Sequence, residues 1–179
     1  MSYEQIWAPW RLAYLKGPAP DLEEESAGLS FLPGADRKCF LCQGVADPAN
    51  PARHVVFQDQ QTLTVLNRYP YNNGHLLVAP RRHCARLDEL AVEEQTALVP
   101  TIARMICLLE KVLRPEGFNV GLNLGHAAGA GLPGHLHWHI VPRWSGDTNF
   151  MPSVASVKVI PQSLDELRKA LAEALHGGP

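Results

Sequence analysis

Residues 135–142 read His-Leu-His-Trp-His-Ile-Val-Pro, so that histidine alternates with large apolar residues. Successive side chains of a strand point to opposite faces, and the alternation therefore predicts a half-buried strand. Three imidazoles would share one face, while Leu136, Trp138 and Ile140 would fill the core behind it. Histidine has no special preference for strands, which favours a functional face over an edge that merely tolerates histidines. Imidazoles on one face could hold a catalytic zinc ion or could act on a bound anion.

The ten residues before this stretch contain four glycines, Gly125, Gly129, Gly131 and Gly134. Glycine permits positive φ and lets backbone N–H groups approach an anion closely, because it has no Cβ. We therefore expect a phosphate-binding loop in which Gly129, Gly131 and Gly134 contact a nucleotide. A flexible connection is the alternative for any glycine-rich loop. Because this loop delivers three histidines, phosphate chemistry is favoured over a zinc hydrolase.

The two segments form part of a longer pattern. The run from Gly117 to Trp144, with its His-φ-His-φ-His-φ-φ motif (φ is an apolar residue), resembles the histidine triad superfamily. In particular it looks like the branch that contains the fragile-histidine-triad hydrolases and the bacterial diadenosine tetraphosphate phosphorylases. Further stretches carry the same resemblance: residues 66–80, 117–125 and 146–152, and the opening Trp7-Ala8-Pro9-Trp10-Arg11.

The resemblance implies an α+β fold, in which one long helix and a C-terminal helix pack on an antiparallel sheet. It also implies a homodimeric nucleotidyl transferase or hydrolase that acts on dinucleoside polyphosphates through a covalent nucleotidyl-histidine intermediate. His137 matches the nucleophile, and a mostly neutral imidazole can attack phosphorus near pH 7. His139 would donate to phosphate oxygens, and His75 would be a further active-site histidine. Asn67 and Asn123 match nucleotide-binding residues, although each could instead be a satisfied amide in a turn or at a strand end.

Cys39-Phe40-Leu41-Cys42 admits three interpretations: a redox dithiol, a metal knuckle, or two unrelated thiols in the core. A redox pair normally lies between a strand and a helix, and neither pattern flanks this pair, so metal is favoured. Structural zinc takes four ligands, of which the cysteines supply two. The resemblance implies His83 and His135 as the other two, with zinc in a structural role.

The chain departs from the hydrolase pattern at Gly131, in a loop that is one residue longer. Hydrolases of the fragile-histidine-triad type carry a glutamine here, four residues before the first triad histidine. Glycine opens space and exposes an N–H group, which suits a second anion better than water. We expect phosphate to accept the nucleotidyl group, with Arg81, Arg82 and Arg143 as candidate cations. The alternatives are hydrolysis by water, nucleoside phosphoramidate hydrolysis, and a nucleotide-binding sensor with little turnover.

The composition bounds the class of protein. A chain of 179 residues fits one domain, and a net charge of −2 argues against a nucleic-acid polymer as partner. No targeting segment or membrane-spanning run is evident, so we expect a cytoplasmic protein that does not bind membranes. Its four cysteines are then expected to be thiols or metal ligands.

Three segments are predicted: an aromatic arm and flexible acidic linker (1–38), the catalytic domain with its zinc knuckle (39–145), and a C-terminal extension and helix on the same domain (146–179). Period-two patterns predict strands over residues 54–59, 62–67, 76–79, 118–124 and 135–142. Helical periodicity lies between Leu90 and Arg114, where Pro100 predicts a kink or a late start. Ser163 and Glu166 have the spacing of a capping box and predict the start of a last helix that ends at Gly177-Gly178.

Overall fold

The computed structural model describes residues 28–147 and 159–177. Within these residues five antiparallel strands form one sheet in the order β1-β2-β3-β5-β4. The strands are β1 (Val55–Gln58), β2 (Thr62–Leu66), β3 (Leu76–Pro80), β4 (Gly117–Leu122) and β5 (Trp138–Arg143), and the helices are α1 (Phe40–Ala46), α2 (Val92–Leu113) and α3 (Leu164–His176). The predicted fold class, α+β with an antiparallel sheet, one long helix and a C-terminal helix, is confirmed.

The central strands β2 and β3 are covered on both faces, and every residue in them is buried. On one face lies a core that we call the helix core, formed with α2 and α3 by Val56, Leu66, Leu76, Val78, Cys84, Leu90, Leu98, Ile102, Met105, Leu108, Leu109, Leu136, Ile140, Leu167 and Leu171. On the other face lies a smaller core that we call the knuckle core, formed with α1 by Cys39, Leu41, Cys42, Val45, Leu63, Val65, Leu77 and Ala79. The sheet therefore separates two apolar layers.

Helix α2 begins at Val92 and runs through Pro100, so the predicted late start is wrong. Proline lacks the N–H group that would bond to the carbonyl four residues earlier. Pro100 is exposed, and water can therefore satisfy that carbonyl. The helix ends as predicted before Pro115, with Arg114 in the left-handed region at φ 50° and its N–H donating to the oxygen of Glu110.

Gly74 fixes the approach of the chain to β3. Its φ is +77°, and a Cβ added here would lie 2.5 Å from Leu113 Cδ1 and 3.1 Å from Pro142 Cγ. Glycine is required because both the backbone conformation and the space exclude a side chain. The segment before His75 consequently packs directly against the end of α2 and against β5.

The triad stretch is less regular than predicted. Pairing of β5 with both neighbours begins at Trp138, which lies opposite Val78 of β3 and opposite Leu122, the last residue of β4. Residues 135–137 lie outside these ladders, and Leu136 there donates from its backbone N–H to the oxygen of Cys84 over 2.7 Å. The strand continues through Pro142 to Arg143. The strand predicted over residues 135–142 therefore begins about three residues later and ends one residue later.

The expectation that no helix flanks the cysteine pair is wrong. Residues 40–46 form α1, with Cys39 at its N-cap and Cys42 inside its first turn. No strand precedes α1 within residues 28–38, so the flanking pattern of a redox dithiol is incomplete. Phe31 and Ala35, in the segment predicted as linker, pack against the knuckle core.

The C-terminal helix begins as predicted. Ser163 is the N-cap of α3, and its Oγ accepts from the N–H of Glu166 over 3.2 Å. Leu167 and Leu171 are buried in the helix core. The aromatic arm at residues 6–15, the acidic run at 21–25 and the resemblance at 148–152 lie outside the described residues, and the three-segment division stays a prediction. No described helix is long and apolar enough to span a membrane.

Candidate active site and metal centre

The three triad imidazoles lie on the face of the sheet that carries the knuckle core. His135 and His137 are buried, whereas Leu136 and Ile140 point into the helix core. The ring centroids of His137 and His139 lie 5.0 Å apart. The alternation therefore produces the shared histidine face that the sequence predicts.

A backbone carbonyl fixes the proton of His137. Nδ1 of His137 lies 2.8 Å from the oxygen of His135. A carbonyl can only accept, so Nδ1 carries the proton and Nε2 keeps its lone pair. Burial lowers the pKa of His137 below its usual value. The ring is thus held neutral with Nε2 as the available nucleophile.

A second chain of hydrogen bonds fixes the proton of His139. The backbone N–H of Tyr71 donates to Nδ1 of His75 over 3.1 Å, so Nε2 of His75 carries the proton. That Nε2 lies 2.9 Å from Nδ1 of His139, which must accept. Nε2 of His139 is then a donor, and it is a buried atom without a hydrogen-bond partner among the described residues. The site presents an N–H group that lacks an acceptor.

Burial, together with the smaller effect of the neighbouring His137, lowers the pKa of His139 to about 4. A neutral ring is consistent with the hydrogen-bond chain, because protonation of Nδ1 would set two N–H groups against each other. His137 and His139 are therefore neutral near pH 7.

Tyr71 covers the pair formed by His75 and His139. Its ring is stacked on His75 at 4.8 Å between centroids and on His139 at 5.8 Å, with interplanar angles of 29° and 19°. The residue is 52% exposed, whereas His75 is fully buried. Tyr71 had no predicted role, because neither spacing nor periodicity connects it with a histidine on another strand.

The predicted amide residues lie at the rim of this face. Asn67 Nδ2 lies 3.2 Å from Nδ1 of His75, and its Oδ1 accepts from the N–H of Tyr69. These contacts fit the alternative of a satisfied turn amide, so nucleotide binding by Asn67 stays a prediction. Asn123 donates to the oxygen of Gly129 over 3.5 Å, which is a long hydrogen bond at the edge of the loop.

The glycine loop is partly closed on itself. A short 3-10 turn spans residues 126–128, and Gly125 and Gly129 flank it with φ of 78° and 85°. The N–H groups of Gly131 and Gly134 have no protein acceptor within residues 28–147 and 159–177. A Cβ at Gly131 would meet nothing within 4 Å. These N–H groups are available to an anion, whereas that of Gly129 is already bonded to the oxygen of His126.

Four side chains from distant parts of the chain converge beside the loop: Cys39, Cys42, His83 and His135. Their ligand atoms lie within 4.8 Å of one another. Cys39 Sγ lies 3.3 Å from His135 Nδ1, and His83 Nδ1 lies 3.3 Å from both Cys42 Sγ and His135 Nδ1. A tetrahedral zinc ion, with bonds of about 2.3 Å to sulfur and about 2.0 Å to nitrogen, separates its ligands by about 3.3–3.8 Å.

The protonation of the four groups also fits a metal ion. His135 Nε2 lies 2.9 Å from the oxygen of Pro80, so it carries the proton and leaves Nδ1 as a lone pair that faces the cluster. The hydrogen bond with Cys39 lowers the pKa of Cys42 to about 4, whereas the same bond raises that of Cys39. Ionisation of Cys42 is thus favoured over that of Cys39, and a bound cation would release the proton of Cys39 as well.

The arginines proposed as cations for the acceptor are engaged elsewhere. Arg82 binds both carboxylate oxygens of Glu94 at 2.9 and 2.8 Å, and Arg143 binds both oxygens of Asp147 at 2.6 and 2.9 Å. Arg81 donates to the oxygen of Asp59. The first two form bidentate pairs, which weakens them as ligands for phosphate.

Comparison with protein families gives a match of residues 49–146 to the HIT domain. A protein of Mycobacterium tuberculosis called AP-4-A phosphorylase is 37% identical over 169 residues, covering 94% of this chain and 83% of the relative. The Schizosaccharomyces pombe protein called bis(5'-nucleosyl)-tetraphosphatase (asymmetrical) is 33% identical over 93 residues, which are 52% of this chain and 50% of that protein.

One similar solved structure is that of a zinc-bound histidine triad family protein from Mycobacterium smegmatis, 27% identical, with a TM-score of 0.62. The match covers 76% of this chain and 92% of that one. The family match over residues 49–146 spans all five strands, α2 and the triad.

Proposed function

The chain belongs to the HIT domain family, and we propose that it is a nucleotidyl transferase that cleaves dinucleoside polyphosphates, with phosphate as acceptor. Diadenosine tetraphosphate is the substrate that we favour, because the names of two relatives refer to this class of molecule. The observation that carries the proposal is the state of His137, which is buried, neutral and has Nε2 free.

The reaction has two displacements at one phosphorus atom. Nε2 of His137 attacks the terminal, adenosine-linked phosphorus, and the bond to the bridging oxygen breaks, so that ATP leaves and adenylyl-His137 remains. An oxygen of inorganic phosphate then attacks the same phosphorus, and the bond to Nε2 breaks. The products are ADP and ATP, and His137 returns to its neutral state.

Negative charge that develops on the phosphoryl oxygens needs donors. His139 supplies Nε2–H, which lacks a protein partner among the described residues. Gly131 and Gly134 supply backbone N–H groups that have no acceptor among the described residues. Because these donors are fixed before substrate binds, they serve both displacements without reorganisation.

The metal centre has a structural role in this proposal. Cys39, Cys42, His83 and His135 would hold one zinc ion, and two thiolates with two imidazoles complete a tetrahedron with no position for water. The bound ion would fix the backbone of His135, whose oxygen orients His137. All nucleophilic chemistry is assigned to the imidazole of His137.

Phosphate is favoured over water as acceptor because of the open space at Gly131. An anion can occupy that space and accept the free N–H of Gly131, whereas a glutamine side chain would fill it. Arg82 and Arg143 are paired with carboxylates, so the loop N–H groups are assigned the larger part in holding the acceptor.

We also assign a homodimer, in which β4 of two copies pair. Strand β4 is an edge of the sheet, and Asn119, Val120 and Gly121 in it are exposed and uncharged. A long uncharged edge is a site for pairing with another strand. Val120→Asp should give a monomer in light scattering, whereas Val92→Asp, in the exposed first turn of α2, should not. A dimer that survives Val120→Asp would overturn this assignment.

The deciding experiment is product analysis of diadenosine tetraphosphate with labelled inorganic phosphate. Label in ADP, with ATP as the second product, supports the phosphorylase. AMP plus ATP at a rate that phosphate does not change would make the enzyme a hydrolase. No cleavage in either condition, with nucleotide still bound, would leave a nucleotide-binding protein and overturn the proposal.

A further inference from the structure

Tyr71 touches both members of the imidazole pair beside the nucleophile. Its backbone N–H donates to Nδ1 of His75, and its ring is stacked on His75 and on His139. The pair is itself joined by the 2.9 Å contact between Nε2 of His75 and Nδ1 of His139. One loop residue thus contacts two histidines that come from different strands.

We infer that Tyr71 is a positioning residue that holds His139 as an Nε2–H donor aimed at the phosphoryl group. The inference rests on the proposed function and extends it to a residue that makes no contact with the reacting atoms. The backbone N–H sets which nitrogen of His75 is protonated. The ring holds the planes of both imidazoles, so that the hydrogen bond between them stays aligned.

Burial supports a role for the ring as well as for the backbone. His75 is fully buried, although Tyr71 beside it is 52% exposed, so the phenol forms a cover between the imidazole pair and solvent. Without that cover, water would compete for Nε2–H of His75 and for Nδ1 of His139. His139 could then adopt the opposite tautomer, in which its Nε2 is an acceptor and repels phosphate oxygens.

The midpoint of a His139 titration depends on the groups that face its ring. They are His137 on the same strand, His75 at the start of β3, and Tyr71 in the loop before it. Because burial is the largest cause that lowers the pKa of His139, removal of the phenol should raise that pKa.

The test uses the full chain with ¹⁵N-labelled histidine. In the wild type, long-range ¹H–¹⁵N spectra should show His139 protonated at Nε2 and bare at Nδ1. Tyr71→Ala should give averaged nitrogen shifts and a higher titration midpoint. Tyr71→Phe keeps the ring and should retain the wild-type spectrum. Tyr69→Ala, a substitution of an equally exposed tyrosine two residues away, is the matched control.

Kinetics provide an independent readout. Tyr71→Ala should lower kcat for diadenosine tetraphosphate by about tenfold while KM changes by less than about threefold, because the donor acts mainly in the transition state. Tyr71→Phe should recover most of kcat. If Tyr71→Ala does not fold, Tyr71→Leu takes its place, since leucine keeps apolar cover without a stacked ring.

Two outcomes separate this inference from the proposed function. A wild type that does not cleave the dinucleotide overturns the proposed function, while the spectra still test the tautomer of His139. A wild type that cleaves it, with Tyr71→Ala or Tyr71→Leu unchanged in kcat and in the His139 spectrum, overturns the role of Tyr71.

Discussion

His137 donates from Nδ1 to the backbone oxygen of His135 over 2.8 Å, so one hydrogen bond joins the candidate nucleophile to a candidate metal ligand. The same His135 donates from Nε2 to Pro80 and directs Nδ1 towards two cysteines. Its backbone and its side chain therefore serve different sites. Any change that moves His135 should alter both metal binding and the orientation of His137.

Removal of one metal ligand is the first prediction. Cys39→Ser should lower the zinc content from one ion per chain towards zero and should lower the melting temperature by at least about 5 °C, because binding energy at a structural site is folding energy. The measurements are elemental analysis and thermal unfolding. Cys107→Ser, at an exposed cysteine of α2, is the control and should change neither. A Cys39→Ser protein that loses metal and melts as the wild type does would contradict the structural role.

Replacement of the nucleophile is the second prediction. His137→Asn should reduce kcat by about 10⁴-fold while nucleotide affinity persists, since asparagine is similar in size but cannot attack phosphorus. Single-turnover kinetics and equilibrium binding measure the two effects. His176→Asn, at the exposed end of α3, should behave as the wild type. Retention of more than about a tenth of the activity, equivalent to only about 1.4 kcal/mol of barrier, would show that His137 is not the nucleophile.

Gly131 gives the third prediction, which concerns the acceptor. A side chain fits there, because a Cβ would meet nothing within 4 Å. Gly131→Gln should fold normally and should lower the ratio of ADP to AMP formed from diadenosine tetraphosphate at millimolar phosphate. Gly131→Ala adds only a methyl group and should change the ratio less. If Gly131→Gln leaves this ratio unchanged, the open space at Gly131 is not the reason that phosphate is the acceptor.

The fourth prediction concerns stability at low pH. The pKa of His139 is lowered from 6.5 to about 4 by burial, so between these values the unfolded chain binds a proton that the folded chain does not. The free energy of unfolding should therefore fall as pH falls from about 6.5 to about 4, by at most about 1.4 kcal/mol per pH unit for this group. Urea unfolding at several pH values measures the slope. In His139→Gln the free energy of unfolding should depend less on pH between about 6.5 and about 4. Equal slopes in the two proteins would contradict the lowered pKa of His139.

Gly74 gives the fifth prediction. Gly74→Ala should destabilise the fold by about 2 kcal/mol or more, because it combines positive φ with a Cβ placed 2.5 Å from Leu113. Gly117→Ala is the matched control, since a Cβ there meets nothing within 4 Å and its φ is ordinary for an L-residue. Chemical unfolding measures both variants. Equal stability in the two would show that the end of α2 can move away from the loop.

Period and spacing were sufficient to predict the histidine face, the long helix and the cap of the last helix. Those features depend on residues that are near in sequence or that repeat with the period of their element. The start of β5 was misplaced because the alternation of side chains continues through residues 135–137, which pair with neither neighbouring strand. Pro100 predicted a kink or a late start of the long helix; the late start is wrong because tertiary packing of the buried face of α2 outweighs one lost hydrogen bond.

In the site too, features that depend on contacts between residues distant in sequence could not be predicted from local patterns. The resemblance supplied the cysteine and histidine set that the fold brings together. The tautomers of His137 and His139 could not be predicted, because they follow from a carbonyl and a ring contact that only the folded chain creates. Tyr71 was missed for the same reason.

The two cores on opposite faces of the sheet have a consequence for amide hydrogen exchange. The helix core is closed mainly by apolar packing, with one buried contact between the hydroxyls of Thr62 and Thr101, whereas the knuckle core contains two of the four candidate metal ligands. If the site holds zinc as we propose, a chelator should speed the exchange of amides in α1 and around Leu132, while amides of α2 stay slow to exchange. Strands β2 and β3 belong to both layers, so their protection should fall to an intermediate level. The face of the sheet that carries the knuckle core would therefore open while the face that carries the helix core stays closed.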